Sequence, residues 1–155
     1  MTDSLNIRAL SRADLASVAA ILDATGLFPS ELLPDMAEPF LSSSADHLWL
    51  VICDQDAVVG FAYTEPERMT DRTYNLLAIA VAPDRQNHGI GKRLVQALLS
   101  QLAQRCGRIL IVETSSLAEF AATRAFYRGL GFACEATIRD FYAQGEDKVV
   151  FWKSI

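Results

Sequence analysis

The segment best suited to chemistry is a loop with two glycines, which lies between an apolar strand pattern and a helix pattern. Apolar residues run from Leu77 to Val81, Gly89 and Gly91 follow among polar residues, and a helical pattern begins at Lys92. Glycines allow close approach of the backbone, and the first amides of a helix have no partner within it. Because the positive end of the helix dipole lies there too, the loop is suited to bind a phosphate or diphosphate.

The glycine spacing excludes two common phosphate-binding loops. A dinucleotide-binding loop needs a third glycine and a distal acidic residue, and a Walker loop ends in Gly-Lys followed by Ser or Thr. The sequence has neither pattern at this place. A plain strand-to-helix turn, with glycines for steric reasons alone, stays open on these residues.

Two motifs, in the right order, resemble the GNAT family of N-acetyltransferases. The first, Gln86-x-x-Gly89-x-Gly91, is similar to the acetyl-CoA signature of that family, and the second, within 123–132, to its Tyr followed by Leu-Gly-Phe. The resemblance covers essentially the whole chain and is most specific over 77–132. It implies an α/β, GNAT-like acyl-CoA N-acyltransferase fold. Such a fold has one mixed, mostly antiparallel sheet of six or seven strands and about four helices, here a single domain over 1–155.

The resemblance also implies the cosubstrate, which is acetyl-CoA, and no metal. Its pantetheine arm is expected to bond to the apolar strand as an added strand would, and its diphosphate to lie on the amides of the loop. The cofactor-binding residues so implied are Ile79, Ala80, Val81, Gln86, Asn87, His88, Gly89, Ile90, Gly91 and Lys92.

Acetyl transfer to an amine needs a base for the amine, a donor for the oxyanion and a proton for the leaving thiolate. Glu113 directly follows the apolar run Ile109–Val112, so we expect it at the carboxyl edge of the sheet, where ligands bind. In some relatives a Glu there removes the amine proton, often through water, which makes Glu113 the candidate base. The resemblance makes Tyr127 the acid that protonates the sulfur. A solvated carboxylate and a core tyrosine are the alternatives.

The acceptor is less defined than the cofactor. A primary amine of a small molecule is the first expectation. The tail 139–151 resembles the last hairpin of the ribosomal-protein alanine acetyltransferases, so a peptide N-terminus is the alternative, with Asp140 and Tyr142 as candidate acceptor-binding residues. A hairpin with a merely polar turn also fits. Rivals of another class are a non-catalytic acyl-CoA-binding module and a nucleotide-binding regulator.

Composition excludes several other functions. The 155 residues carry a formal net charge of −5, which disfavours binding to nucleic acid. Three cysteines without a CxxC pair argue against a disulfide framework and a zinc site. No apolar run is long enough for a membrane span, and no signal sequence is evident, so we expect a cytoplasmic protein. A homodimer is left open.

Hydrophobic patterns predict the elements that position these residues. Ser11 and Asp14 form a capping-box pattern before a first helix that Gly26 can end. Further elements follow as strands 48–53, 57–63 and 74–81, helix 92–106, strand 109–112, a helix to residue 128 and strands 132–141 and 148–152. The middle of the chain alternates strand and helix while the flanks are hairpins, which indicates a mixed α/β, three-layer fold on one sheet.

Overall fold

The structure, a computed structural model, describes residues 4–155. Over these residues it contains four α-helices: α1 Leu15–Thr25, α2 Leu33–Leu41, α3 Ile90–Gln104 and α4 Ala121–Gly129. The same residues form seven strands: β1 Leu5–Ala9, β2 Leu48–Asp54, β3 Ala57–Pro66, β4 Thr73–Val81, β5 Ile109–Ser115, β6 Ala133–Ala143 and β7 Glu146–Ser154. Within the described part of the chain, no helix has the length and apolar character needed to cross a membrane.

The strands form one sheet in the order β1-β2-β3-β4-β5-β7-β6. β4 and β5 run parallel, paired from Thr73 with Ile109 to Leu76 with Val112. The pairs β1–β2, β2–β3, β5–β7 and β6–β7 are antiparallel. This mixed, mostly antiparallel sheet with four helices confirms the predicted fold class.

The chain divides into two compact units, of which the first comprises the residues up to Glu65 together with Leu77–Gln101. Its core lies where α1 and α2 cover one face of β2 and β3. The buried residues of that core include Val18, Ile21, Leu22, Leu33, Ala37, Trp49, Val51, Phe61, Tyr63, Ala78 and Ala80. The predicted start of the first helix is confirmed, since Ser11 and Asp14 form a capping box. Its end is confirmed as well, because Gly26 takes a left-handed conformation with φ 68°.

The second unit comprises Pro66–Leu76 and Leu102–Ile155. Here α4 packs on the sheet through Tyr127, whose ring lies 5.7 Å from that of Phe151. Phe151 pairs with Val112 across β5 and β7, and both are buried. The edge strand β6, in contrast, is exposed along its whole length.

Several boundaries in the second unit differ from prediction. β6 spans Ala133–Ala143 rather than 132–141, and β7 spans Glu146–Ser154 rather than 148–152. β5 continues to Ser115, so the predicted end of the strand at Val112 is wrong, and Glu113 lies inside the strand. Continued pairing with β7 as far as Lys148 explains the extra length. Helix α4 begins at Ala121 without a side-chain cap, and the left-handed residue after it is Gly131, with φ 87°.

Candidate active site

The glycine loop of the first unit presents backbone amides ahead of a helix. Asn87 and Gly89 both have positive φ, 64° and 78°, which turns the chain sharply into α3. The amide of Arg93 donates to the carbonyl oxygen of Gly89 at 3.1 Å, one turn into the helix. The amides of Ile90, Gly91 and Lys92 precede that hydrogen bond, so the helix itself gives them no acceptor. They are the groups that an anion would bind.

Side chains of the loop hold it against the end of β4. Gln86 donates from Nε2 to the carbonyl oxygen of Val81 at 3.1 Å. His88 Nδ1 lies 2.7 Å from the carbonyl oxygen of Gln86. Arg85 pairs with Asp54 at 2.6 Å and so ties the turn to β2. The side chains of Gln86 and His88 therefore order the loop, in which residues 86–89 are exposed.

Glu113 lies on the more open face of β5. It pairs with Val150, whereas its neighbour Val112 pairs with the buried Phe151 on the opposite face. The Glu113 side chain is 29% exposed, and its Oε1 lies 3.1 Å from Nζ of Lys148. This carboxylate already binds a primary ammonium group, which is the kind of group that an acetyl-accepting amine would present.

Tyr127 lies in an aromatic cluster on the other face of β5. Its ring is 5.1 Å from Phe126 and 5.5 Å from Phe132, both in edge-on arrangements. The residue is 3% exposed, and burial raises the pKa of its phenol. The hydroxyl therefore stays protonated at neutral pH and can donate a hydrogen bond.

Asp140 lies near the end of β6, where the register with β7 shifts. The residue has a positive φ of 55°, and its amide donates to Oδ1 of Asp147 at 2.9 Å. Its own Oδ1 accepts the amide of Gly145, also at 2.9 Å. Asp140 thus has a structural role in the turn, and its predicted contact with the acceptor stays a prediction.

Tyr142 shares its surroundings with Glu113. It is 45% exposed, and its pKa is raised by partial burial and then by the charges of Glu113 and Glu146. Glu146 accepts a hydrogen bond from the hydroxyl of Ser115 at 2.7 Å. Tyr142 also meets the ring of Phe141, 5.1 Å away, edge to face. An exposed aromatic pair therefore lies beside an acidic group.

The predicted site residues fall into two sets. All the predicted cofactor-binding residues lie in the first unit, and the predicted catalytic and acceptor residues lie in the second. Within the second unit the charge of Glu113 acts on Tyr142, whereas Glu113 and Tyr127 occupy opposite faces of β5.

Sequence reasoning missed Lys148 and Phe141. Nζ of Lys148 lies 4.0 Å from the centroid of the Phe141 ring as well as beside Glu113. The only signal available was the alternation of side chains along the last strand, which needs the register against β5 before it places Lys148 next to Glu113.

The fold and the loop together define an acyl-CoA N-acyltransferase. A family model described as an acetyltransferase (GNAT) domain matches residues 45–134. The chain belongs to the GNAT family of acetyltransferases, as its two motifs indicated, and is an acetyl-CoA-dependent N-acetyltransferase. A non-catalytic module and a nucleotide-binding regulator are therefore set aside.

Three relatives illustrate the similarity. The chain is 36% identical over 107 residues to the ribosomal protein bS18 alanine N-acetyltransferase of Salmonella typhimurium, covering 67% of this chain and 68% of that enzyme. A crystal structure of a GNAT-family acetyltransferase from Desulfovibrio desulfuricans has a TM-score of 0.90 at 29% identity and covers 97% and 98% of the two chains. The ribosomal-protein-S18-alanine N-acetyltransferase of Escherichia coli has a TM-score of 0.77 at 25% identity, covering 97% and 94%.

Proposed function

We propose that this enzyme transfers the acetyl group of acetyl-CoA to the α-amine of a protein that begins with alanine. The observation that carries the proposal is the carboxylate of Glu113, which lies on an open strand face and binds a primary ammonium group at 3.1 Å. We propose Glu113 as the base, with residues 1–155 acting as one catalytic domain.

The loop and strand of the first unit are the proposed cofactor site. Acetyl-CoA, when bound, supplies an acetyl group activated as a thioester. The amides of Ile90, Gly91 and Lys92 would bind its diphosphate, and the backbone of Ile79 and Val81 would bind the pantetheine arm. The open space at Gly89, where an added Cβ would meet nothing within 4 Å, leaves room for an anion to approach the backbone.

Glu113 would act on the acceptor amine and Tyr127 on the leaving sulfur, from opposite faces of β5. Glu113 removes the proton that makes the acceptor nitrogen a nucleophile, directly or through water. Tyr127 donates toward the leaving sulfur. Burial raises the pKa of the Tyr127 phenol above that of an ordinary thiol, so full proton transfer from Tyr127 to the thiolate is unfavourable. The hydroxyl therefore stabilises the thiolate mainly by hydrogen bonding.

The relatives and the hairpin support a peptide acceptor. Two of the similar enzymes act, by name, on the alanine of ribosomal protein S18. Phe141 and Tyr142 are half exposed, and the charges of Glu113 and Glu146 act on Tyr142, an environment that suits a short peptide with a cationic end. Such an acceptor would place the enzyme in the cytoplasm, as the sequence predicts. A small-molecule amine stays an untested prediction.

A thiol-release assay with acetyl-CoA tests the proposal. The panel comprises a hexapeptide that begins with alanine, the same peptide with a blocked N-terminus, and small polyamines. We expect release of coenzyme A with the free peptide and none above background with the blocked one. Turnover of the polyamines in preference to the peptide would overturn the peptide acceptor in favour of a small-molecule amine.

A further inference from the structure

Lys148 presents a primary amine to the proposed base. Its Nζ lies 3.1 Å from Oε1 of Glu113 and 4.0 Å from the centroid of the Phe141 ring. The side chain is 12% exposed, and these two contacts hold its position. The side chain of Lys148 is therefore more buried than the lysine of an ordinary surface ion pair.

A base must lie within hydrogen-bond distance of the nitrogen that it deprotonates, roughly 2.6–3.2 Å. Nζ of Lys148 meets that requirement at Glu113 before any acceptor arrives. We propose that Lys148 is a self-acetylation site, modified within its own chain when acetyl-CoA is bound and no other amine occupies the site. This inference depends on the proposed role of Glu113.

The reaction balances with groups already named. The ammonium of Lys148 loses one proton through Glu113 to solvent, and the neutral nitrogen attacks the carbonyl carbon of the thioester. A carbon–nitrogen bond forms and the carbon–sulfur bond breaks. The second proton lost by the nitrogen ends on the sulfur, so the products are Nζ-acetyl-Lys148 and coenzyme A. The amide product is neutral, so the ion pair with Glu113 and the cation–π contact with Phe141 are both lost.

The chain supplies its own control lysines. It contains three, of which Lys92 is exposed at the start of α3 and Lys153 lies on the same strand as Lys148. Nζ of Lys153 also lies over an aromatic ring, 5.9 Å from that of Phe132. Lys153 is five residues from Lys148 along β7, an odd step that places it on the opposite face from Glu113. It therefore matches Lys148 in type, strand and ring contact but not in access to the base.

The test is incubation of the purified protein with trideuteroacetyl-CoA and no acceptor, followed by intact mass and peptide mapping. We expect one label at Lys148, acquired at least about ten-fold faster than at Lys153, and a first-order rate that does not depend on protein concentration. Lys148→Arg removes the label and Lys153→Arg leaves it. Glu113→Gln slows it by at least about ten-fold, because the base is lost.

Three results would overturn the proposal. One is equal labelling of all three lysines, which would indicate uncatalysed acetylation. Another is an unlabelled Lys148 in an enzyme that still acetylates an alanine peptide, which leaves the proposed function standing. The third is an enzyme that labels neither Lys148 nor any amine of the panel, which overturns the role of Glu113 together with the proposal.

Discussion

At the scale of single residues, the carboxylate of Glu113 is the group on which turnover depends. Replacing it with Gln keeps its size and removes its basicity. We expect Glu113→Gln to lower kcat for an amine acceptor by about 10²–10⁴-fold at neutral pH, with a smaller loss at high pH, where more of the acceptor amine is already neutral. Steady-state kinetics over a pH series measure this.

The matched control is Glu119→Gln, an exposed Glu in the turn before α4 of the same unit. Its kcat should stay within about two-fold of that of the unmodified enzyme, since exposed residues away from special features have small effects. Binding of coenzyme A by Glu113→Gln should be unchanged. A fall in kcat that is equal in both variants would remove Glu113 from the mechanism.

Asp14 gives a second residue-scale prediction, for stability. A hydrogen bond from Arg8 lowers the pKa of Asp14 from 3.8 to about 2, against the opposing effect of burial. A carboxylate whose pKa is lower in the folded state stabilises the protein above its unfolded pKa, and that stabilisation is lost as pH falls from about 4 to 2. The shift corresponds to about 2 kcal/mol.

Urea unfolding of the protein and of Asp14→Asn at several pH values checks this. We expect the variant to be less stable by about 2 kcal/mol at pH 7, with the difference shrinking below about pH 4 as Asp14 becomes protonated. A difference that is constant from neutral to low pH would mean that Asp14 acts only as a helix cap.

At the scale of elements, Gly60 determines how closely α3 packs on the sheet. A Cβ at this position would lie 3.0 Å from the carbonyl oxygen of Ala80 and 3.3 Å from Cδ1 of Leu94. We therefore expect Gly60→Ala to lower the free energy of unfolding by about 1–3 kcal/mol through overpacking. Denaturant unfolding measures the change.

The control is Gly129→Ala at the end of α4, where an added Cβ meets nothing within 4 Å. There the same substitution should stabilise by about 0.5–1 kcal/mol, because alanine favours a helix over glycine. If both variants changed the free energy of unfolding in the same direction, backbone propensity rather than packing would explain the effect of Gly60→Ala.

Elements were the level at which the sequence was most informative. Local patterns are enough for the capping box at Ser11, the left-handed Gly26 and the turn into α3, because each depends on neighbours a few residues away. Contacts across strands are different: the pair of His47 and Glu65, 3.0 Å apart, needs the register of β2 on β3. Burial was harder still, since only Cys53 of the three cysteines is buried, although two lie in apolar runs.

The residues of the candidate site divide in the same way, into those that local sequence patterns predict and those that depend on strand pairing. The cofactor loop could be predicted because its glycines and the strand and helix that flank it are contiguous in sequence. The surroundings of Glu113 could not, since β5 and β7 are separated by α4 and β6 in sequence, and only their pairing places Lys148 beside it. The residues of the acceptor side therefore depend on tertiary register.

At the scale of the whole molecule, binding of the cosubstrate should appear as global stability. A ligand that binds only the folded protein raises the free energy of unfolding by about 2.7 kcal/mol at a free concentration about 100 times its Kd. We expect acetyl-CoA to do so, and S-acetylpantetheine, which lacks the diphosphate, to have a much smaller effect at the same concentration. Added salt should weaken the effect of acetyl-CoA more than that of the analogue.

Substitutions at Gly89 test whether the loop is responsible for that difference. Its φ of 78° is tolerated by Asn better than by branched residues, so Gly89→Asn should keep most of the stabilisation by acetyl-CoA and Gly89→Val should lose it. Thermal unfolding at matched ligand concentrations measures both. If S-acetylpantetheine stabilised the protein as well as acetyl-CoA, the diphosphate would not be bound, and the amides before α3 would not be the anchor of the cofactor. Equal stabilisation of the Asn and Val variants by acetyl-CoA would likewise indicate that the diphosphate does not bind at this turn.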